Sequence, residues 1–234
     1  MRILKYLIIF FKSFTHKKIS YSYGGIDAII EYIFKGKKNG FYVDVGCGHP
    51  IKHNNTYLLN MRGWNGMNID LDKSNIDLFD IVRPKDENIC AAVSDGKKEV
   101  DLFFYHAKSS LNTISKKNSD YQKAKVSSIK KIQTNSLNNI IENSRFKNFQ
   151  IDFLSIDVEG SEYDVLKSFN FKKFKPKVIV VEFLDLSLPK LELKNIDIRV
   201  AIESDIAKLI SSHGYTLANM LHSDLVFIRN DFRD

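Results

Sequence analysis

Short apolar runs rich in β-forming side chains alternate with stretches of helical spacing along most of this 234-residue chain. That alternation predicts an α/β fold with a mostly parallel sheet and helices on both faces. The first run, residues 41–45 (Phe-Tyr-Val-Asp-Val), is bounded by Gly40 and by Gly46-Cys47-Gly48. Further strands are expected over 64–70, 89–93, 100–106, 130–134, 151–156 and 177–183. The last of these is apolar on both faces until Glu182, so it belongs at the centre of the sheet. Helices are expected over 54–61 with a cap at Asn54-Asn55-Thr56, over 76–82 before Arg83-Pro84, over 137–141, over 163–169, and over 202–212 before Gly214. Runs 215–221 and 224–228 are three residues apart, which predicts a closing hairpin and an antiparallel edge strand.

Three stretches fit this alternation less well. Asp95-Gly96 reads as a hairpin turn into 100–106. Residues 109–131 have little periodicity and read as a surface excursion, either a plain loop or a lid over a pocket. Residues 3–14 are apolar on most of a helical surface, with Arg2, Lys5, Lys12 and His16 on one side. That segment is too short for a bilayer span of roughly 20 residues, and Phe14-Thr15-His16-Lys17 offers no small-residue cleavage site. Two readings remain for it: a helix packed on the domain or a second subunit, or a basic amphipathic helix resting on an anionic membrane surface.

Charge sharpens this division. Residues 1–38 hold eight Lys or Arg against Asp27 and Glu31, leaving 27 basic against 26 acidic residues for the rest. The chain therefore divides into a basic, helical N-terminal extension (1–38) and a single nearly neutral domain (39–234). A nucleic-acid enzyme is expected to carry a basic stripe across its body, so the pI of 9.2 argues little for such a partner. Cys47 and Cys90 form no CxxC pair, which fits a reduced cytoplasmic setting, at most peripheral to the inner membrane face, and supports no zinc site.

The candidate chemistry sits at strand ends. Gly46 and Gly48 lack the Cβ atoms that would keep a nucleotide-like ligand from the backbone. Asp70 closes the second strand, 26 residues beyond Asp44, where a carboxylate can accept both hydroxyls of a ribose. Ala92, Val93 and Ser94 are small enough to leave room for a flat adenine ring. Asp157 and Glu159 fall on one side of the chain after the apolar run 153–156, and Glu182 ends the next strand. Glu162 suits the first turn of the following helix.

Strands ending in Asp-x-Gly-x-Gly and in an acid, with a closing hairpin, fit a Rossmann-like class I methyltransferase better than a dinucleotide dehydrogenase. The dehydrogenase fingerprint needs a third glycine, and Pro50-Ile51 follow here. The motifs Ser22-x-Gly24-x-x-Asp27, Phe41-x-Val43-Asp44-Val45-Gly46, Asn55-Thr56, Gly63-Trp64-x-Gly66-x-Asn68-Ile69-Asp70, Ser110-x-Asn112-Thr113, Phe153-Leu154-x-Ile156-Asp157-Val158-Glu159-Gly160 and Val180-Val181-Glu182 resemble the FkbM-type methyltransferases over residues 20 to 230. His49-Pro50 and Arg83-Pro84-x-Asp86 resemble a bacterial subset, whereas Gly25 and Cys47 replace a usual Glu and Ala.

The resemblance implies a seven-stranded sheet, S-adenosylmethionine as cofactor with S-adenosylhomocysteine as product, and O-methylation of a small molecule, a sugar or a glycan precursor. It places the cofactor at Asp44, Gly46, Cys47, Gly48, Asn55, Asp70, Leu71, Ala92, Val93, Ser94 and Asp157, and the acceptor at Ser110, Asn112 and Thr113. Methyl transfer to a hydroxyl is helped by a base, and Asp157 is the first candidate, ahead of His49, Glu159 and Glu182. Asp157, Glu159 and Glu182 could instead hold a divalent cation, which is not favoured here. The other readings are a cofactor binder without turnover, or a nucleic-acid methyltransferase, for which an Asn/Asp-Pro-Pro-aromatic motif is lacking. The sequence leaves open whether the chain is a monomer or a homodimer.

Overall fold

The computed structural model describes residues 3, 5, 19–96, 98–188 and 192–233. Apart from Ile3 and Lys5, the segment over which an N-terminal helix and a membrane contact were expected lies outside the described residues. In chain order the elements are α1 (Ile26–Ile33), β1 (Phe41–Val45), α2 (Tyr57–Met61), β2 (Asn65–Asp70), α3 (Lys73–Val82), β3 (Glu87–Cys90), β4 (Ala92–Ser94), β5 (Glu99–Phe104), α4 (Lys116–Tyr121) and β6 (Ser128–Ser136). They continue with α5 (Leu137–Glu142), β7 (Phe153–Ile156), α6 (Glu162–Ser168), α7 (Phe171–Phe174), β8 (Val178–Glu182), α8 (Ile198–Glu203), α9 (Asp205–Ser212), β9 (Tyr215–Leu221) and β10 (Asp224–Arg229).

The two-residue period of a strand decides where each side chain goes. Phe41, Val43 and Val45 of β1 enter one core with Ile69, Ile156, Val181 and helix residues Leu137 and Val165. Tyr42, on the opposite face, enters a second core with Ile26, Trp64, Phe153 and Val180. Two cores on two faces require a sheet covered on both sides, and the main sheet has seven strands in the order β3-β2-β1-β7-β8-β10-β9. Its members run parallel except at the end, where β10 is antiparallel to both β8 and β9. The expected antiparallel pair thus closes one edge, with β10 inserted between β8 and β9. Strand order reverses between β1 and β7, and the carboxyl ends of these neighbours carry residues 46–48 and 157–159. No described helix is long and apolar enough to cross a membrane.

The structure corrects the local reading in several places. The strand expected over 89–93 breaks at Ala91, whose N–H donates to the Asp70 carbonyl at 2.9 Å. Beyond the break β4 leaves the main sheet and pairs parallel with β6, and β5 pairs antiparallel with β6 on its other side. No β4–β5 hairpin forms, because Thr134 of β6 takes the turn for itself, its hydroxyl donating to the carbonyls of Gly96 (2.7 Å) and Lys98 (3.1 Å). Helix 202–212 is two helices: Ser204 is extended and its hydroxyl accepts from the Ala207 N–H at 3.1 Å, capping α9. Residues 109–131 contain α4 and several buried polar side chains, Asn118 and Thr113 among them, so the stretch is packed and not a bare surface loop.

Candidate functional site

A cavity of about 370 Å³ opens at the carboxyl ends of β1, β2 and β7. Gly46, Cys47, Gly48 and His49 line one side, Asp70, Leu71, Ala92 and Val93 the next, Ser110 and Asn112 the third, and Asp157 and Glu159 the fourth. The loop after β1 and the acid closing β2 therefore share one hollow.

The two glycines have different jobs. Gly46 has φ +76°, and a Cβ there would sit 1.6 Å from the Asp157 carbonyl oxygen, so this glycine lets the β1 and β7 ends close on each other. Gly48, at φ +58°, has nothing within 4 Å of its Cβ position and leaves space on the cavity wall. Gly46 lines the cavity as well, but its missing Cβ is required by the Asp157 carbonyl before any ligand arrives. Asp70 binds this loop directly: its carboxylate accepts from the N–H of Gly48 at 2.8 Å and of Asp72 at 2.7 Å. Burial pushes its carboxyl up to about 6, against the pull of those same bonds.

Asp44 lies beneath the cavity wall. Its Oδ2 accepts from the Thr56 hydroxyl at 2.7 Å and the Asn54 amide at 3.1 Å. Burial raises its carboxyl, with Thr56 and the Arg83 charge acting the other way. Thr56 and Asn54 are thereby spent on Asp44 and on the loop, so the side-chain cap of α2 expected from sequence does not form. Asn55 is turned to the Ser155 hydroxyl at 3.3 Å, and Ser94 is buried with its carbonyl accepting from Ser168 at 3.3 Å. Neither lines the cavity.

The acidic wall gathers several carboxyls raised above their ordinary range. Desolvation pushes Asp157 up to about 7, reinforced by the charge of Asp224. Glu159 rises to about 8 through burial and the neighbouring Asp157. Glu182 is raised well above the ordinary range by burial and by Asp157, Glu159 and Glu162 around it. Glu182 does not line the cavity; it lies behind Asp157, paired across the sheet with Asp224. Glu159 holds φ +57°, a left-handed conformation that costs on the order of 1–3 kcal/mol in a non-glycine residue. Two bonds to its carbonyl hold it there, from the Thr113 hydroxyl at 2.7 Å and the Asn118 amide at 2.6 Å. Thr113 is thus a buried clamp on the acidic wall, while Asn112 ties its own turn, accepting from Tyr105 N–H at 2.9 Å and donating to the His106 carbonyl at 2.9 Å.

Sequence reasoning passed over Lys52, His53, Asn75, Lys108, Ser109 and Ile114, all in the cavity wall. Asn75 supports Asp70, and its signal was an amide in the first turn after the α3 cap Asp72. His49 is pushed down by burial and by the nearby charges of Lys52 and Lys108. Also unforeseen was the role of Arg83 and Asp86, both buried. Arg83 donates to the Pro50 carbonyl (2.5 Å), Asn54 Oδ1 (2.7 Å) and the Thr56 hydroxyl (2.8 Å). Asp86 accepts from Tyr42, from Asn68 at 3.0 Å and from the Gly66 N–H at 3.0 Å. Ser22 and Asp27 form a turn lock ahead of α1, the Ser22 hydroxyl donating to Asp27 at 2.9 Å.

A reversed-order parallel sheet with its cavity at the switch point, a glycine loop after β1 and an acid after β2 defines the class I methyltransferase fold. The model of the methyltransferase FkbM domain matches residues 44–217, and the chain belongs to that family. Among solved structures it is similar to a TehB-like SAM-dependent methyltransferase from Corynebacterium glutamicum, at 11% identity and a TM-score of 0.43, with 96% of each chain covered. It is also similar to a methyltransferase FkbM from Methylobacillus flagellatus, at 15% identity and a TM-score of 0.45. That match covers 82% of this chain and 43% of the other. No curated protein matches the chain.

Proposed function

We propose that the protein transfers the methyl group of S-adenosylmethionine to a hydroxyl of a small-molecule acceptor, a sugar or a glycan precursor. The observation that carries this reading is the single hollow shared by the Gly46–Gly48 loop, Asp70 and the acid pair Asp157 and Glu159. Its size suits a ligand of this class, since small-molecule sites span roughly 300–1,000 Å³. The bound sulfonium supplies an electrophilic methyl group. Asp70, with lone pairs beyond those used by Gly48 and Asp72, takes the ribose hydroxyls, and Ala92 and Val93 flank the adenine ring. Ser110 and Asn112 face the acceptor.

At the opposite wall Asp157 orients the acceptor hydroxyl and accepts its proton as the new O–CH3 bond forms and the S–CH3 bond breaks. Burial has raised its carboxyl to about 7, which makes it a far better proton acceptor than an ordinary aspartate near neutrality. Alignment of oxygen with methyl supplies much of the rate in such a displacement. The test is calorimetric titration with S-adenosylmethionine, followed by methyl-transfer assays of wild type and Asp157→Ala against a panel of sugar nucleotides. The expected result is saturable cofactor binding in both proteins and a loss of turnover of about 10²–10⁴ in the variant. Absence of cofactor binding overturns the reading, and full activity of Asp157→Ala overturns the assignment of the base.

A further inference from the structure

We propose that Asp157, Glu162 and Glu182 form a binding site for one hard divalent cation, of the magnesium or manganese kind, behind the cavity wall at Asp157. Each residue reaches the place from a different element: Asp157 follows β7, Glu162 opens α6 and Glu182 ends β8. One carboxylate oxygen from each lies within 4.8 Å of the others. Oxygen ligands at about 2.0–2.6 Å from a shared ion are roughly 3–5 Å apart, so the three already stand at coordinating separation.

The state of the individual oxygens points the same way. Asp157 Oδ1 and Glu182 Oε2 are wholly buried without a hydrogen-bond partner. A carboxylate oxygen in that condition forfeits its hydration, which is answered either by a cation or by a proton shared between Asp157 and Glu182, whose side chains meet. Glu162 is prepared differently: its Oε1 accepts from the N–H of Val158 at 3.0 Å and of Gly160 at 2.9 Å, which fixes the carboxylate in place. Glu159 and Asp224 are further carboxyls beside the three. None of the ion pairs among the described residues includes any of these carboxyls, so no lysine, arginine or histidine answers them. The donor set is oxygen only, which selects magnesium, manganese or calcium over zinc or copper. The sequence had suggested Glu159 as the third ligand; the structure assigns Glu162, placed by the turn at Gly160.

Asp157 lines the cavity, so an ion held behind it bears on the site through this one carboxylate; with the ion bound, Asp157 stays ionised and orients the acceptor hydroxyl, and it serves as the base only when the ion is absent. Only this use of the ion rests on the methyl-transfer reading. The site itself is tested by titrating the full-length, chelator-treated protein with Mn²⁺, followed by electron paramagnetic resonance and by thermal unfolding. The expected result is one Mn²⁺ per chain, displaced by Mg²⁺, with a rise in Tm. Glu182→Gln and Glu162→Gln should each weaken it tenfold or more, while Glu142→Gln, a surface acid paired with Lys173, leaves it unchanged. The proposal is overturned if wild type takes up no Mn²⁺ in the millimolar range while Glu182→Gln alone raises Tm, which is the behaviour of carboxyls sharing protons. Equal Mn²⁺ affinity in wild type and both cluster variants also overturns it. A parallel S-adenosylmethionine titration without metal separates the two readings: cofactor binding with no Mn²⁺ response removes the cation site and leaves methyl transfer standing.

Discussion

Gly46 and Gly48 are two residues apart and share a left-handed backbone, yet substitution should separate them. Gly46→Ala puts a methyl group into the Asp157 carbonyl, with backbone on both sides and no flexible side chain to yield. We expect a loss above about 4 kcal/mol, read as a collapse of the urea midpoint; a midpoint within error of wild type would refute the close-approach argument. Gly48→Ala meets open space and bears only the left-handed strain of about 1–2 kcal/mol, but its methyl group narrows the cavity wall. It should lower S-adenosylmethionine affinity more than it lowers stability. Asp70 gives a pH prediction at the same scale. Its folded-state carboxyl stands at about 6, above the ordinary range, so this group stabilises the folded protein at low pH, and that contribution is lost as pH rises from about 4 through about 6. Ribose hydroxyls donate to the ionised form, so cofactor affinity should increase as pH rises through about 6 and then level off. Calorimetry of wild type against Asp70→Asn checks this, and an unchanged pH profile in the variant would remove Asp70 from the site.

The elements divide into those that pattern alone predicts and those that depend on distant partners. Strands β1, β7 and β8 are legible because each buries both faces, so a short, mostly apolar run suffices to mark them. The break at Ala91 is not, since it depends on a carbonyl of β2 and on which side of β6 the next three residues find room. The α8–α9 break was present as Ser204 but hidden inside an apolar run; Ser204→Ala should cost about 1 kcal/mol of unfolding free energy, measured in guanidinium, as loss of a cap. The stretch read as loop or lid proves to be a brace as well, because Thr113 and Asn118 reach 46 and 41 residues along the chain to the Glu159 carbonyl. Thr113→Val keeps the volume and removes the donor. It should leave the fold within about 1–2 kcal/mol of wild type while cutting methyl transfer at least tenfold through misplacement of the acidic wall. Undiminished turnover in Thr113→Val would show that the clamp is purely structural.

Across the whole molecule, the cofactor side of the cavity is held from behind by a charged network that no hydropathy pattern announces. Apolar periodicity reports where oily side chains go, and a buried arginine with its carboxylates reads in sequence as surface. Arg83 is 2% exposed, follows α3, and binds the 50–56 segment through Pro50, Asn54 and Thr56. Through Tyr42 and Asn68 it is one step from Asp86, which in turn holds the Gly66 N–H of β2. Asp44 joins the same network through Thr56 and Asn54, so β1, β2, the end of α3 and the loop that frames the cavity form one polar unit. Lysine can supply one ammonium but not the two-nitrogen fork that serves the Pro50 carbonyl and the Thr56 hydroxyl at once. Arg83→Lys should therefore cost about 1–3 kcal/mol, as expected when the charge is kept but buried acceptors lose their donor. Its second signature is local: amide hydrogens of residues 47–56 should exchange faster than those of β8, and S-adenosylmethionine should bind more weakly even at temperatures where the variant remains folded. Uniform loss of protection across the sheet, with cofactor affinity intact, would mean that Arg83 supports the fold at large and does not position this loop.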